Sequence, residues 1–199
     1  HIQLPASGEN SFGEMKVILL DMAGFLALVF VSLLLGLAIN AFRAVPLPLV
    51  YQSKTERFLT SQLDAEIPVK YPFPVVPEVL LEDLKTLMRS PGLMLLDARP
   101  PPFYQRGHLP GALNLSEAAF RKDLERLQAR LKAPGAKTFV VYCSEEDCDD
   151  GEIVAQALVQ LGFGSAEDGV TQGRVIRVFK GGWEAWKAAR LPMERGESG

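Results

Sequence analysis

The residues whose type and spacing could do chemistry are Cys143 and Cys148, the two cysteines of this 199-residue chain. Both lie in one short polar segment. The β-branched and aromatic residues Thr138 to Tyr142 come directly before Cys143 and predict a buried strand. Apolar residues at helical spacing begin after Gly151 and predict a helix. A cysteine between a strand end and a helix N-terminus lies where α/β proteins place their reactive groups.

The loop between strand and helix offers this cysteine two opposing influences. Backbone N–H groups and the helix N-terminus stabilise a thiolate, which is the nucleophilic form of cysteine, and Ser144 adds a hydroxyl. Nearby carboxylates raise the pKa of a thiol and repel anionic substrates, although each acts weakly when solvent-exposed. Five of them follow Cys143 within seven residues: Glu145, Glu146, Asp147, Asp149 and Asp150.

Cys148 has three interpretations from the sequence. It is an ordinary loop residue, a resolving thiol that attacks a persulfide on Cys143 or forms a reversible disulfide with it, or a metal ligand. A closed zinc site needs a full set of Cys and His ligands, and the chain's only histidines are His1 and His108. We therefore expect no metal and no cofactor.

An apolar segment near the N-terminus predicts a membrane span. Residues 22–39 carry no charge, and about 20 apolar residues cross the hydrocarbon core of a bilayer. A buried core helix would show a polar stripe, and a cleaved signal peptide has a shorter apolar region. We predict a transmembrane helix over 17–42 after a flexible segment over 1–16. More basic residues follow the span than precede it, which favours a cytoplasmic C-terminal part in a single-pass membrane protein.

A linker and a globular domain are predicted after the span. Residues 44–77 contain six prolines, so 43–76 is predicted to be an extended, Pro-rich linker, with a short helix possible near Lys54 to Leu63. Apolar strand patterns then alternate with helical ones over 77–195, which predicts an α/β domain with a parallel sheet, followed by a tail over 196–199. The formal net charge of −3 gives no indication of nucleic-acid binding.

Three landmarks within this domain resemble those of the rhodanese-like family. They are Asp97-Ala-Arg99 with Tyr104 and Gly107-His-Leu-Pro-Gly-Ala112, then Tyr142-Cys143, then Gly181-Gly-Trp-Glu-Ala-Trp186. The resemblance implies a five-stranded parallel sheet flanked by helices. It also implies a sulfurtransferase, in which Cys143 takes up a sulfane sulfur as a persulfide and passes it to a thiol or another nucleophilic acceptor. We expect Asp97 and Arg99 to form a supporting ion pair, and His108 to make structural hydrogen bonds.

The loop departs from the family pattern at two positions. Many rhodanese-like loops carry an arginine five residues after the cysteine, where this chain has Cys148. Related phosphatases carry one six residues after it, where this chain has Asp149, which excludes a phosphatase. We expect a low-molecular-weight or protein persulfide as the donor rather than thiosulfate. Two hypotheses follow: a membrane-anchored sulfurtransferase, or a rhodanese-fold module with little turnover that acts in protein binding or in Cys143/Cys148 redox sensing.

Overall fold

A computed structural model describes residues 10–43, 51–62, 72–166 and 173–196 of the chain. The chain divides into two compact units, His1–Gln52 and Ser53–Gly199.

The first unit contains helix α1, Asn10–Ala41. Within Met15–Ala41, an 18-residue window has a mean hydropathy of 2.6 and none of its residues is buried, so this helix is long and apolar enough to cross a membrane. The helix begins at Asn10, inside the segment 1–16 that the sequence predicts to be flexible. Residues 1–9 of that segment lie outside the described residues.

A parallel sheet forms the centre of the second unit. Its strands are β1 (Leu93–Asp97), β2 (Leu113–Asn114), β3 (Thr138–Tyr142) and β4 (Val175–Phe179). They lie in the order β2-β1-β3-β4, and every neighbouring pair is parallel. The α/β architecture with a parallel sheet is therefore confirmed.

The prediction of five strands is wrong for the described residues, which form four. Two isolated parallel bridges, Glu78 with Val178 and Ser165 with Val175, occupy the outer side of β4. Val79 N donates to Val178 O at 2.8 Å, and Val178 N donates to the carbonyl of Pro77 at 2.9 Å. Toward the start of β4, Pro77 has no N–H to continue this pairing, and Ile176 N donates to Ser165 O at 2.9 Å instead.

Helices cover both faces of the sheet. Alternate strand residues point to opposite faces, so Phe139 and Val141 pack into one apolar cluster and Val140 and Tyr142 into another. The helices are α2 (Lys54–Gln62), α3 (Leu81–Leu87), α4 (Pro101–Arg106), α5 (Phe120–Leu131), α6 (Asp150–Gln160) and α7 (Gly182–Ala188). The first cluster contains residues of α2, α5 and α6, and the second contains residues of α3, α4 and α7.

Helix α2 lies inside the segment 43–76 that the sequence predicts to be a Pro-rich linker. The hydroxyl of Ser53 accepts a hydrogen bond from Glu56 N at 3.1 Å and caps the start of the helix. Phe58 and Leu59 are buried, and the Phe58 ring contacts the ring of Phe120 edge-on at 5.3 Å between centroids. This part of the segment therefore belongs to the core of the second unit, while residues 44–50 and 63–71 lie outside the described residues.

Candidate active site

Cys143 lies at the carboxyl edge of the sheet. It follows the end of β3, which has β1 on one side and β4 on the other, and it is 4% exposed. A loop of six residues connects it to α6, which begins at Asp150. The position between a central parallel strand and a helix N-terminus is the one that the sequence predicts, and it is where ligands bind in open α/β sheets.

A glycine turn holds the back of this loop. Trp183 N donates to Cys143 O and Glu184 N donates to Ser144 O, each at 2.9 Å. Gly182 has a φ of +57°, and a Cβ built on it would lie 2.6 Å from Cys143 O. Only glycine satisfies both the backbone conformation and the close approach. The Gly181-Gly182 landmark of the sequence therefore fixes the backbone on which Cys143 is carried.

The loop presents unpaired backbone donors. Cys148 N donates to Glu145 O at 3.1 Å. Within the described part of the chain, the N–H groups of Ser144, Glu145, Glu146 and Asp147 have no protein acceptor. Together with the N-terminus of α6, these donors can stabilise negative charge beside Cys143.

Cys143 and Cys148 are joined by a disulfide. Their Cα atoms are 6.1 Å apart, which lies within the ordinary range for a bonded pair. Cys148 is half-buried at the loop surface. In this oxidised state neither sulfur is a thiolate, the form that attacks sulfur or binds a metal ion. A two-electron reduction must therefore come before any nucleophilic chemistry at Cys143.

The acidic side chains of the loop divide into two groups. One carboxylate oxygen of Asp150 lies within 4.8 Å of both sulfur atoms. That carboxylate is partly buried and accepts a hydrogen bond from the ammonium of Lys54 at 2.7 Å. The others are exposed to solvent, where their charges are screened: Glu145, Glu146, Asp147 and Asp149.

The buried ion pair of Asp97 and Arg99 contacts Trp183, which holds the backbone of the loop. The expected pair is present: Arg99 Nη2 lies 2.6 Å from Asp97 Oδ2, and the same nitrogen donates to the Gly107 carbonyl at 2.7 Å. The guanidinium lies over the Trp183 ring, 4.8 Å from its centroid. Burial lowers the pKa of Arg99, but the hydrogen bond and charge of Asp97 more than offset this, so the pKa is raised. Arg99 thus fixes the residue whose N–H holds the Cys143 carbonyl.

The sequence of the second unit matches a family model. A model of the Rhodanese-like domain matches residues 80–189, which are more than half of the chain. The chain belongs to the rhodanese-like family.

Two curated proteins are similar in sequence to part of this chain. The "HTH-type transcriptional regulator Rv0324" of Mycobacterium tuberculosis is 31% identical over 102 residues, 51% of this chain and 38% of that protein. The "Putative thiosulfate sulfurtransferase" of Synechococcus elongatus is 31% identical over 117 residues, 52% of this chain and 33% of that protein. This chain thus aligns with only about a third of the length of each relative.

Solved structures show similar domains. The BH2092 protein of Bacillus halodurans is 18% identical, with a TM-score of 0.47, and the match covers 60% of this chain and 77% of that one. A thiosulfate sulfurtransferase of Pseudomonas aeruginosa is 26% identical, with a TM-score of 0.46, and the match covers 63% of this chain and 21% of that one.

His108 of the rhodanese-like domain makes its contacts within α4 and with the C-terminal segment. Its Nδ1 lies 2.9 Å from the Tyr104 carbonyl, and its ring stacks on the Tyr104 ring with centroids 3.8 Å apart. Its Nε2 lies 3.8 Å from Glu194 Oε2, and its backbone pairs with that of Glu194. These contacts are structural, and they join the end of α4 to the segment that follows α7.

Sequence reasoning missed Lys54 and Glu117 as neighbours of the loop. Asp150, by its hydrogen bond, raises the pKa of Lys54. Burial raises the pKa of Glu117, and the charge of Asp150 adds to the rise. A cavity of about 430 Å³ beside them is lined by residues of α2 and of the segment before α5. No local signal could identify these residues, because Lys54 and Asp150 are 96 positions apart in the chain.

Proposed function

We propose that this protein is a sulfurtransferase in which Cys143 carries a sulfane sulfur as a persulfide. The observation that carries the proposal is the place of Cys143 in a rhodanese-like domain. It lies at the carboxyl end of β3, under a loop whose N–H groups from Ser144 to Asp147 have no protein acceptor in the described chain. Such donors stabilise the negative charge of a thiolate or a persulfide anion.

The proposed reaction has three steps. A dithiol or two thiols first reduce the Cys143–Cys148 disulfide and are themselves oxidised to a disulfide. The Cys143 thiolate then attacks the outer sulfur of a donor persulfide; a new S–S bond forms on Cys143 and the donor leaves as a thiolate. An acceptor thiolate finally attacks the outer sulfur of the Cys143 persulfide, takes it away, and regenerates the Cys143 thiolate.

The charge around the loop supports a persulfide donor rather than thiosulfate. Four exposed carboxylates line the loop, and together they repel a dianion more than a thiol persulfide of low charge. Each contributes under about 1 kcal/mol when exposed, so the rim selects among donors without preventing catalysis. A donor or acceptor protein with a basic surface would be attracted by the same rim.

The disulfide supports a second pathway through Cys148. Its thiolate can attack the inner sulfur of a Cys143 persulfide, which forms the Cys143–Cys148 disulfide and expels hydrosulfide. The product of this step is the bonded pair that the structure contains. The same pair favours the alternative function, a redox-sensing module in which an oxidant of the peroxide or disulfide class takes up two electrons from the two thiols.

We also propose that α1 anchors the domain to a membrane as a single pass. Met15–Ala41 is long enough and apolar enough for this role. Anchoring would restrict the domain to donors and acceptors that reach the membrane surface.

Intact-mass analysis of the reduced, full-length protein in detergent tests the sulfurtransferase. After incubation with glutathione persulfide we expect an adduct of about 32 Da, one sulfur atom, and a weaker adduct after incubation with thiosulfate. Cys143→Ser should abolish the adduct. Cys148→Ser should retain it and, where the second pathway operates, prolong its lifetime. The absence of an adduct from every donor would rule the proposal out.

The redox alternative gives a different mass signature. Mild oxidation of the reduced protein should remove about 2 Da as the disulfide closes, and each serine variant should prevent this loss. Closure without any persulfide adduct would support a sensor rather than a transferase.

A further inference from the structure

Helix α2 brings a cation to the active-site loop from outside the rhodanese-like region. Lys54 is the first residue of this helix and precedes the matched residues 80–189. Its ammonium donates to Asp150 Oδ1 at 2.7 Å, while one oxygen of the same carboxylate lies within 4.8 Å of both cysteine sulfurs. Lys54, Asp150 and Cys143 therefore form a chain of contacts that begins outside the family domain and ends at the reactive sulfur.

Asp150 is the carboxylate that should matter most to Cys143. Within the described chain, it is the only acidic residue in the group whose ligand atoms lie within 4.8 Å of both sulfurs. Its side chain is 25% exposed, so solvent screens it less than the exposed acids of the loop. An uncompensated carboxylate at this place would disfavour a thiolate, and also the persulfide anion that follows it.

We propose that Lys54 is a positioning residue of the sulfur-transfer site: its ammonium holds and neutralises the Asp150 carboxylate, and this favours the anionic forms of Cys143. The inference rests on the proposed function, because a persulfide carrier needs its cysteine as a thiolate.

Glu117, Lys180 and the carboxylates of the loop do not compensate Asp150. Glu117 lies close enough to raise its own pKa further through the charge of Asp150, and it is itself acidic. Lys180 is paired with Glu78 at 2.8 Å. Four further carboxylates lie on the loop itself: Glu145, Glu146, Asp147 and Asp149. Lys54 is therefore the cation that the described structure places in contact with the carboxylate beside the sulfurs.

The position of α2 does not depend on Lys54, so the residue can be changed without detaching the helix. Phe58 and Leu59 are buried in the core. Arg121 also donates to the Gln62 carbonyl at the end of the helix at 2.7 Å. Lys54 is 49% exposed, and its substitution leaves these contacts intact.

The test measures the thiol pKa of Cys143 in the reduced, full-length protein in detergent, in a Cys148→Ser background. The readout is the rate of alkylation by iodoacetamide as a function of pH. We expect Lys54→Gln to raise the pKa of the Cys143 thiol by about half a unit to one unit. Lys54→Arg should restore the original value. Arg57→Gln removes a positive charge from the same helix without touching Asp150, and should leave the pKa within about 0.2 unit.

A second background shows whether Lys54 acts through Asp150. In Asp150→Asn protein the effect of Lys54→Gln should fall to less than half of its size in the parent. An effect of equal size in both backgrounds, or no effect of Lys54→Gln in the parent, would overturn the proposal. These measurements need no sulfur donor. If no persulfide adduct formed but Lys54→Gln raised the pKa of the Cys143 thiol as expected, only the proposed function would be contradicted. If the adduct formed but Lys54→Gln left that pKa unchanged, only the role of Lys54 would be contradicted.

Discussion

The backbone of the loop favours the thiolate of Cys143, whereas the charges of its side chains disfavour it. The backbone of the loop offers it unpaired donors and a helix N-terminus, while the side chains of the loop surround it with carboxylates. Backbone donors are fixed in position, whereas the exposed acids lie in water and are screened. We therefore expect the backbone to decide that Cys143 is reactive, and the side chains to decide which donors reach it.

The backbone position of Cys143 predicts a specific sensitivity at Gly182. A methyl group there would lie 2.6 Å from Cys143 O at a φ of +57°. We expect Gly182→Ala to lower the free energy of unfolding by about 1–2 kcal/mol for the positive φ and by about 1–3 kcal/mol more for the clash. Chemical denaturation followed by tryptophan fluorescence measures this.

Gly111→Ala is the matched control, because Gly111 has a φ of +73° but open space around the missing Cβ. It should show the conformational cost without the clash. Equal losses in the two variants would contradict the close approach of Gly182 to the loop.

At the scale of elements, α2 extends the folded domain into the segment that the sequence predicts to be a linker. The proline-rich composition of residues 44–77 suggests a tether, yet the nine residues of α2 carry two apolar side chains into the core. The helix also carries Lys54 to the loop and lines the cavity beside Glu117. Whatever displaces α2 would therefore change both the stability of the domain and the charge at its active site.

This coupling predicts the effect of a core substitution in α2. Leu59 is fully buried, so Leu59→Ala should lower the free energy of unfolding of the second unit by about 2–5 kcal/mol. Both tryptophans, Trp183 and Trp186, lie in that unit, so their fluorescence reports its denaturation in the full-length protein.

Thr60→Ala, at an exposed position of the same helix, should change stability by less than about 1 kcal/mol. If Leu59→Ala were as mild as Thr60→Ala, α2 would not be part of the core.

At the scale of the whole molecule, the chain joins a long apolar helix to a domain that has a buried apolar core. Large apolar side chains of α1 are exposed along its length, while the second unit buries its apolar residues on both faces of a sheet. A cytoplasmic position of the domain stays a prediction. It would keep Cys143 and Cys148 reduced and ready to react, whereas an oxidising compartment would favour the bonded pair.

Membrane anchoring predicts that the protein remains with membranes after extraction with alkaline carbonate. Leu28→Arg combined with Leu33→Arg should release it, because each charge in the middle of a span costs about 2.5–3.5 kcal/mol. Phe42→Arg is the control, since a cation at the end of the apolar helix can reach the interface. Extraction of the unchanged protein by carbonate would exclude a spanning helix.

The sequence by itself determined the elements whose cause is local. Apolar runs and helical spacing predicted β3, α6 and the alternation of strands and helices over 77–195. Landmarks in the right order predicted the rhodanese-like family and the place of Cys143. Period, composition and turn chemistry act between near neighbours in the chain, so they are readable without a structure. The apolar composition of residues 22–39 gave α1 in the same way.

Only the tertiary structure decided what depends on distant residues meeting. The segments beside β4 form only isolated bridges in the described residues, at Glu78 and at Ser165, which corrected the predicted fifth strand. Loop shape likewise decides that Cys143 and Cys148 form a disulfide, and helix packing decides that Lys54 contacts Asp150. The spacing of the two cysteines along the chain made their disulfide possible. Nothing in the sequence indicated the contact between Lys54 and Asp150, because the fold, rather than local sequence, places Lys54 beside the loop.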